Sequence, residues 1–245
     1  TATPRVASGF AAWPQSVDMT FLELVQRLAT ECGVPVSNIT TTVNQTGEAG
    51  RLVNWTNAAW LAIQNKHKDW DWMRRSTSWT TIDQQPTYTT AECGITAGTF
   101  GAWERNTFRC YDTSAGVGSE QYLRYISYDE WRDRYKFGAI QLTYTRPMEM
   151  SITPDKGIAL GPFPISGYTI RGDYFLAPSN MSGDSDEPAL PEYWQLAIVW
   201  RAMMFYGSFE SAPEVFSMGQ RECNAAMTQI ESDRLREVVF AGPLA

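Results

Sequence analysis

The chain has a single histidine, His67, and only four cysteines among its 245 residues. The cysteines are Cys32, Cys93, Cys110 and Cys223, and no two of them form a C-x-x-C pair, so a zinc site would need distant residues to converge. A catalytic triad would have to use His67, which lies near a predicted helix C-terminus, where a cationic side chain has a structural use. The sequence therefore predicts free thiols, no metal, no cofactor and no enzyme activity.

Positive charge and long apolar runs are also scarce. The chain has 20 Lys and Arg against 27 Asp and Glu, a net charge of −7. A general nucleic-acid binder needs a basic stripe that releases counterions, so this composition argues against one. The longest apolar run, 194–206, is shorter than a bilayer requires and contains Arg201. The sequence predicts no membrane partner.

Aromatic residues, by contrast, are abundant: 10 Trp, 11 Tyr and 11 Phe. Such residues are enriched in cores and in buried interfaces, which favours an oligomer. They also leave an alternative open. A carbohydrate- or peptide-binding module could use the aromatics of the β-rich middle of the chain.

Four helices are predicted, two at each end of the chain. Thr20 and Glu23 form a capping box that satisfies free amides of the first turn, and Gly33 ends this helix. The second helix covers about 47–66. A largely apolar helix covers 193–206, with Pro191 in its first turn, and an amphipathic helix starts near Pro213. The residues predicted to form the core of a helical bundle are Leu24, Leu28, Trp55, Trp60, Trp194, Ile198 and Met227.

The middle of the chain changes to Thr, Tyr, Gly and Pro in short alternating runs. Strands are predicted at 76–82, 102–112, 140–147, 149–161 and 168–178, with a short helix at 128–137. The acidic segment 182–188 lacks the spaced ligands of a calcium loop and is interpreted as a polar connection. The order of elements predicts an α+β fold, in which 19–75 and 186–236 form a helical bundle and 76–185 form an inserted β-rich domain.

Both ends of the chain are predicted to be arms. Residues 1–18 have no periodicity, and Phe10 and Trp13 are the side chains that could anchor this N-terminal arm on a partner, although a flexible terminus is equally compatible. Residues 237–245 are apolar. The anchors of this C-terminal arm would be Val238, Val239, Phe240 and Leu244, with packing on the chain's own bundle as the alternative.

Several short motifs occur in an order that resembles the tail-adaptor, or head-to-tail connector, proteins of tailed bacteriophages. In the first two helices they are MTFLELVQRLATECG (19–33), QTGE (45–48), RLVNW (51–55), AAW (58–60) and IQ (63–64), followed by WDWMR (70–74). Later motifs are YDEWR (128–132), YTIRGDY (168–174) and DEPALP (186–191), before the last two helices. The resemblance covers about 19–235, so residues 1–18 receive no role from it.

The resemblance implies a connector-type helical bundle and a structural virion protein assembled in the host cytoplasm. It implies a dodecameric ring below the portal protein. This ring would extend the DNA channel and bind a nozzle or stopper protein, and tail fibres are a further partner that the resemblance allows. Genomic DNA would pass through the lumen without sequence-specific binding, and part of the −7 is expected to face that lumen. The C-terminal arm is expected to dock onto the portal or a neighbouring copy.

Overall fold

The computed structural model describes residues 18–234, and the predicted arms lie outside them apart from Asp18. The described residues divide into two compact units. The helical unit contains 18–60 and 181–230, and the β-rich unit contains 61–180 and 231–234. Five α-helices and two four-stranded sheets occur in this part of the chain, so the fold class is α+β, as the sequence predicts.

The helices begin where local sequence signals place them, with one exception. They are α1 (Phe21–Glu31), α2 (Gly47–Gln64), α3 (Tyr128–Tyr135), α4 (Leu196–Phe209) and α5 (Pro213–Arg234). At α1 the capping box is confirmed: the Glu23 N–H donates to Thr20 Oγ1 at 3.3 Å, and the Thr20 N–H donates to Glu23 Oε2 at 2.8 Å. Gly33 follows the helix with a φ of +73°, a conformation that glycine adopts without steric cost.

The exception is α4, which begins later than the predicted start at 193. Residues Glu192–Trp194 form a single 3-10 turn, and the α-helix starts at Leu196. Gln195 is fully buried and its amide is used by the surrounding chain: the Met19 N–H donates to its Oε1 at 2.6 Å, and its Nε2 donates to Leu190 O at 3.1 Å. Because the bond to Met19 joins residues 176 positions apart, local periodicity alone does not set the helix start.

Helices α4 and α5 approach each other closely at two glycines. A Cβ on Gly207 would lie 2.7 Å from the Phe216 backbone nitrogen, and one on Gly219 would lie 2.8 Å from the Trp200 carbonyl oxygen. Both contacts are with backbone, which cannot move aside as a side-chain end can. The hairpin of α4 and α5 therefore depends on the absence of a Cβ at these positions.

The substitution Gly219→Ala is expected to destabilise the protein by about 2 kcal/mol, because a methyl group must push the two backbones apart. Helix propensity alone predicts the opposite sign, a gain of about 1 kcal/mol. Urea denaturation followed by circular dichroism distinguishes the two. Asn224→Ala, at an exposed position of α5, is the control and should be neutral or slightly stabilising. A stability gain for Gly219→Ala would contradict the close-contact argument.

The β-rich unit contains two sheets that share one apolar core. The strands are β1 (Arg74–Thr80), β2 (Thr87–Tyr88), β3 (Phe100–Asp112), β4 (Gln121–Tyr122), β5 (Arg124–Tyr125), β6 (Glu149–Ile152), β7 (Ile158–Gly161) and β8 (Tyr168–Leu176). One sheet has the order β1-β8-β3-β4 and the other β2-β7-β6-β5, in which only the β5–β6 pair is parallel. Buried residues from both sheets, among them Trp79, Phe108, Met150 and Leu160, belong to one cluster.

Three predictions in the middle of the chain need correction. The predicted strand 140–147 is wrong: Ala139–Leu142 form a 3-10 turn, and only Tyr144 makes a single bridge, to Phe163. The alternating apolar side chains Ile140, Leu142 and Tyr144 are exposed, so the run has no buried face of the kind that a half-buried strand presents. The single run 149–161 is a hairpin, β6 and β7, that turns at Lys156 with a φ of +64°. The helix predicted at 128–137 ends at Tyr135, shortly before Gly138 reverses the chain with a φ of +76°.

Candidate assembly surfaces

The residues predicted for the bundle core differ in their burial. Leu24, Leu28 and Ile198 are fully buried, and Trp60 and Met227 are nearly so. Trp55 and Trp194 are only half-buried. All seven lie in the helical unit. Sequence periodicity finds the faces that point inward, but it does not predict how much of a large indole ring is covered.

Trp55 belongs to an aromatic cluster on the helical unit. Its ring lies 5.9 Å from Tyr206 and 5.5 Å from Phe209, measured between centroids, and the Arg51 guanidinium lies 4.9 Å from the Phe209 ring. Phe209 is exposed at the end of α4. Tryptophan, tyrosine and arginine are the residues that most often dominate binding energy at protein interfaces. This group is therefore a candidate contact surface.

The negative charge of the chain is concentrated in the helical unit. Its described residues include eleven acidic and four basic residues, a net charge of −7. The described residues of the β-rich unit include fifteen acidic and fourteen basic residues, a net charge of −1. The overall composition does not reveal this uneven distribution of charge. The charged residues of each unit can be counted from the sequence only when the unit boundaries are known.

The acidic loop at 182–188 is held by hydrogen bonds within the helical unit. Asp184 Oδ1 accepts from the Thr42 hydroxyl at 2.6 Å and from the Thr42 N–H, and these bonds lower the pKa of Asp184. Asp186 Oδ2 accepts from the Gly183 N–H at 2.9 Å and the Ser182 N–H at 2.6 Å, which lowers the pKa of Asp186. Both carboxylates therefore order the loop. Within 18–234 no group of three or more His, Cys, Asp or Glu residues could hold a metal ion.

A buried carboxylate organises one end of the β-rich unit. Glu149, at the start of β6, is 7% exposed and binds two arginines, Arg124 and Arg134, and the Tyr135 hydroxyl. Arg134 Nη1 lies 2.6 Å and Tyr135 Oη 2.9 Å from Glu149 Oε2. Burial acts to raise the pKa of Glu149, but the hydrogen bonds from Tyr135, Arg124 and Arg134 together lower it below its ordinary 4.5. These contacts join α3 to the sheet, and the Glu149 carboxylate is already bound to three donors.

Two of the cysteines are protonated because of burial, and the histidine makes contacts that stabilise the fold. Burial raises the pKa of Cys32 and of Cys93 to about 12, so both remain protonated thiols of low reactivity. His67 Nε2 lies 2.9 Å from Glu231 Oε1, and its ring packs edge-on against the buried Trp70 at 4.9 Å. These contacts fit the predicted structural role of His67 at the end of a helix.

The end of α5 is held by two sets of ion pairs within the β-rich unit. Glu231 Oε1 lies 2.6 Å from Lys66 Nζ and contacts His67, and these two partners lower the pKa of Glu231. Three residues later, Arg234 Nη1 lies 3.2 Å from Asp71 Oδ2. The predicted anchors Val238, Val239, Phe240 and Leu244, like Phe10 and Trp13, lie outside the described residues. The ion pairs fix the point from which the C-terminal segment continues.

The aromatics of the β-rich unit are mainly core residues. Trp79, Trp103, Phe108 and Trp131 are all buried to at least 93%. A groove of about 590 Å³ is lined partly by Tyr128 and Glu92. However, the Glu92 carboxylate already accepts from the Thr89 N–H and hydroxyl at 2.7 and 2.8 Å. The aromatic excess that suggested a sugar- or peptide-binding module is therefore largely explained by packing.

The polar clusters described above, such as the one at Glu149, stabilise the fold, and the aromatic cluster at Trp55 is a candidate contact surface. Comparison with protein families identifies the class as a phage structural adaptor: the family described as SU10 adaptor protein matches residues 19–244. The chain belongs to the SU10 adaptor protein family. No curated protein matches it significantly. The resemblance recognised in the sequence motifs is confirmed, and the match extends past the expected limit at 235.

Membership has direct consequences for the class of function. The family is one of phage structural adaptors and not a class of enzymes. A phage structural adaptor is a component of the virion, so the chain belongs there. An adaptor interacts with portal and tail proteins by the nature of its role. In the part of the chain from 18 to 234, no helix combines the length and apolar character needed to cross a bilayer.

Proposed function

We propose that the protein is a ring-forming head-to-tail adaptor that docks below the portal, extends the DNA channel and offers a platform to the next tail component. The observation that carries the proposal is the family match over residues 19–244. The proposed subunit combines a connector-type bundle of helices from both ends of the chain with an inserted β-rich domain. The genome passes through the ring, and the other partners are the portal, a nozzle or stopper protein, and further copies of the chain.

The charge distribution supports a role for the helical unit at the channel wall. The described residues of that unit carry a net charge of −7, whereas those of the β-rich unit carry −1. A wall with basic side chains would bind phosphates and oppose DNA movement, whereas an acidic wall leaves the DNA free to slide. We therefore assign the lumen to the helical unit.

Electron microscopy of the purified protein mixed with the portal of the same phage tests the proposal. The expected result is a ring stacked coaxially on the narrow end of the portal. Portal particles without added density, together with free monomer, would reject the adaptor ring. Symmetry analysis of the same images gives the number of copies and tests the dodecamer.

Neutralising three acidic side chains of the α4–α5 hairpin is expected to slow genome ejection. In the triple variant Glu214→Gln, Glu222→Gln and Glu210→Gln, DNA phosphates meet a less repulsive wall, so ejection in vitro should slow several-fold at low salt and less at high salt. The measurement is DNA release from purified virions triggered in vitro. The matched variant neutralises Asp83, Glu104 and Asp129 of the β-rich unit and should behave as the parent. Equal rates for all three virions would refute the assignment of the lumen.

Deleting 237–245 is expected to abolish portal binding while leaving the described fold intact. In the proposal Val238, Val239, Phe240 and Leu244 bury against the portal or a neighbouring copy, so their loss removes a folding-on-binding segment. Co-sedimentation with portal measures binding, and thermal unfolding of the same sample reports the fold. Rings that still form on portal without this segment would show that the anchors lie elsewhere.

A further inference from the structure

An ordered ridge of exposed apolar side chains lies on the β-rich unit. We use the name apolar ridge for residues 137–148, FGAIQLTYTRPM, between α3 and β6. Five of its twelve residues are large, apolar and exposed: Phe137 by 58%, Ile140 by 39%, Leu142 by 75%, Tyr144 by 36% and Met148 by 59%. Single exposed apolar residues are common on protein surfaces, but a run of this kind marks an interaction site.

The ridge is held in place by its backbone and by one arginine. The Thr145 N–H donates to Phe163 O at 2.9 Å, and the Met148 N–H donates to Gly161 O at 2.9 Å. Arg146 turns toward the unit, where its Nη2 donates to Ser119 O at 2.6 Å and also to Cys110 O. The backbone that carries the exposed side chains is therefore already ordered. Binding of a partner would not lose the conformational entropy of ordering this segment.

The charge of the ridge restricts the kind of partner. The ridge contains no acidic residue, and its Arg146 already donates to the carbonyls of Ser119 and Cys110, so the positive charge available to a partner is that of Lys136, which directly precedes the ridge. Lys136 is exposed and makes no ion pair within the described residues. The complementary surface is apolar with acidic side chains around it.

The helical unit of another copy has these properties. Its net charge over the described residues is −7, and Tyr193, Phe209 and Met218 are exposed on it by 61%, 57% and 39%. A ridge-to-ridge contact, by contrast, would be two-fold symmetric and would bring together two copies of Lys136, the residue directly before the ridge. Two-fold contacts close dimers, whereas contacts between two different surfaces build rings.

We propose that the apolar ridge of one copy packs on the acidic helical unit of the neighbouring copy, and that this contact closes the ring. The inference rests on the proposed function, because it assigns the contact between copies of the proposed ring. Leu142 and Phe137 are the side chains expected to contribute most, because Leu142 is the most exposed of the five large apolar residues of the ridge and Phe137 carries a large apolar ring that is 58% exposed.

Photo-crosslinking tests the contact in the full-length protein assembled on its portal. The amino acid p-benzoylphenylalanine replaces Leu142, and the crosslinked peptides are identified by mass spectrometry. Crosslinks to 18–60 or 181–230 of a second copy are the expected result. The control probe replaces Val117, which is 64% exposed on the same unit but lies outside the ridge, and it should give no such crosslink.

Other outcomes overturn the inference in distinguishable ways. Rings that form normally while Leu142 crosslinks to the portal, to a tail protein, to another ridge or to nothing reject this contact and leave the adaptor ring standing. Absence of any ring on the portal rejects the proposed function and this inference together. As a second measurement, the double variant Phe137→Ser and Leu142→Ser should unfold at the parent temperature yet assemble on the order of tenfold less well. Unchanged assembly of that folded variant also rejects the contact.

Discussion

The substitution Gly172→Ala is expected to lower the free energy of unfolding of the β-rich unit by about 2–3 kcal/mol. Gly172 lies in β8, and an added Cβ would lie 2.6 Å from two ring carbons of Phe108. The Phe108 ring is fully buried and packs against Trp79 and Trp103 at 6.3 and 5.5 Å between centroids. Because three rings occupy this part of the core, Phe108 cannot move away without displacing the others.

Urea denaturation gives the size of this effect, and a double-mutant cycle tests its cause. Phe108→Leu alone creates a cavity and destabilises, but in the Gly172→Ala background it also relieves the clash. The two changes together should therefore cost less than their sum by at least about 1 kcal/mol. Gly118→Ala is the matched control, because a Cβ there meets no atom within 4 Å. Additive costs would show that Gly172 matters for a reason other than the Phe108 ring.

The substitution Glu149→Gln is expected to destabilise the protein by about 2 kcal/mol, the cost of weakening hydrogen bonds that involve a buried charged group. The neutral Gln amide forms no ion pair with Arg124 or Arg134. Its nitrogen is a donor, so only its oxygen can still accept hydrogen bonds from the two arginines. The effect stays below that of a fully buried ion pair, because both arginines are partly exposed and regain water. Glu130→Gln is the control: Glu130 also pairs with Arg134, at 2.7 Å, but at an exposed site, so its loss should be too small to resolve.

The same carboxylate predicts a pH dependence. The pKa of Glu149 is lower in the folded protein than its ordinary 4.5, so the folded state favours the ionised form. Its contribution is fully present above the unfolded pKa and is lost as the pH falls through the folded pKa. Between pH 7 and pH 3 the parent should therefore lose more stability than Glu149→Gln. Parallel stability curves for the two proteins over that range would exclude this source of acid sensitivity.

Local features of the chain were predictable because their interactions join residues close in sequence. The capping box needs only Thr20 and Glu23, which are three residues apart, and the buried stripe of α1 follows from helical periodicity. The long strands β3 and β8 also carry alternation that is visible in the chain, whereas the pattern of 149–161 predicts one strand and misses the turn at Lys156. The family, too, was recognisable, since the order of short motifs survives without knowledge of their contacts.

Features that join distant residues were not predictable in this way. The segment 140–147 alternates like a strand but forms an exposed ridge, because its support comes from Phe163, Gly161 and the carbonyls of Cys110 and Ser119. Gln195, directly before α4, is held by a bond from the distant Met19 N–H. Gly207 and Gly219 resemble weak helix positions in sequence, and only the α4–α5 contact gives them a function.

The sequence by itself determined the α+β class, the helix boundaries set by capping, the absence of catalytic motifs and the adaptor resemblance. Only the tertiary structure decided that Glu149 joins two arginines and a tyrosine, that the β-rich aromatics fill a core, and that the negative charge belongs to the helical unit. The physical reason is the range of the interactions involved. Capping and periodicity act within a few residues, whereas burial, ion pairing and the charge of a surface depend on which distant segments the fold brings together.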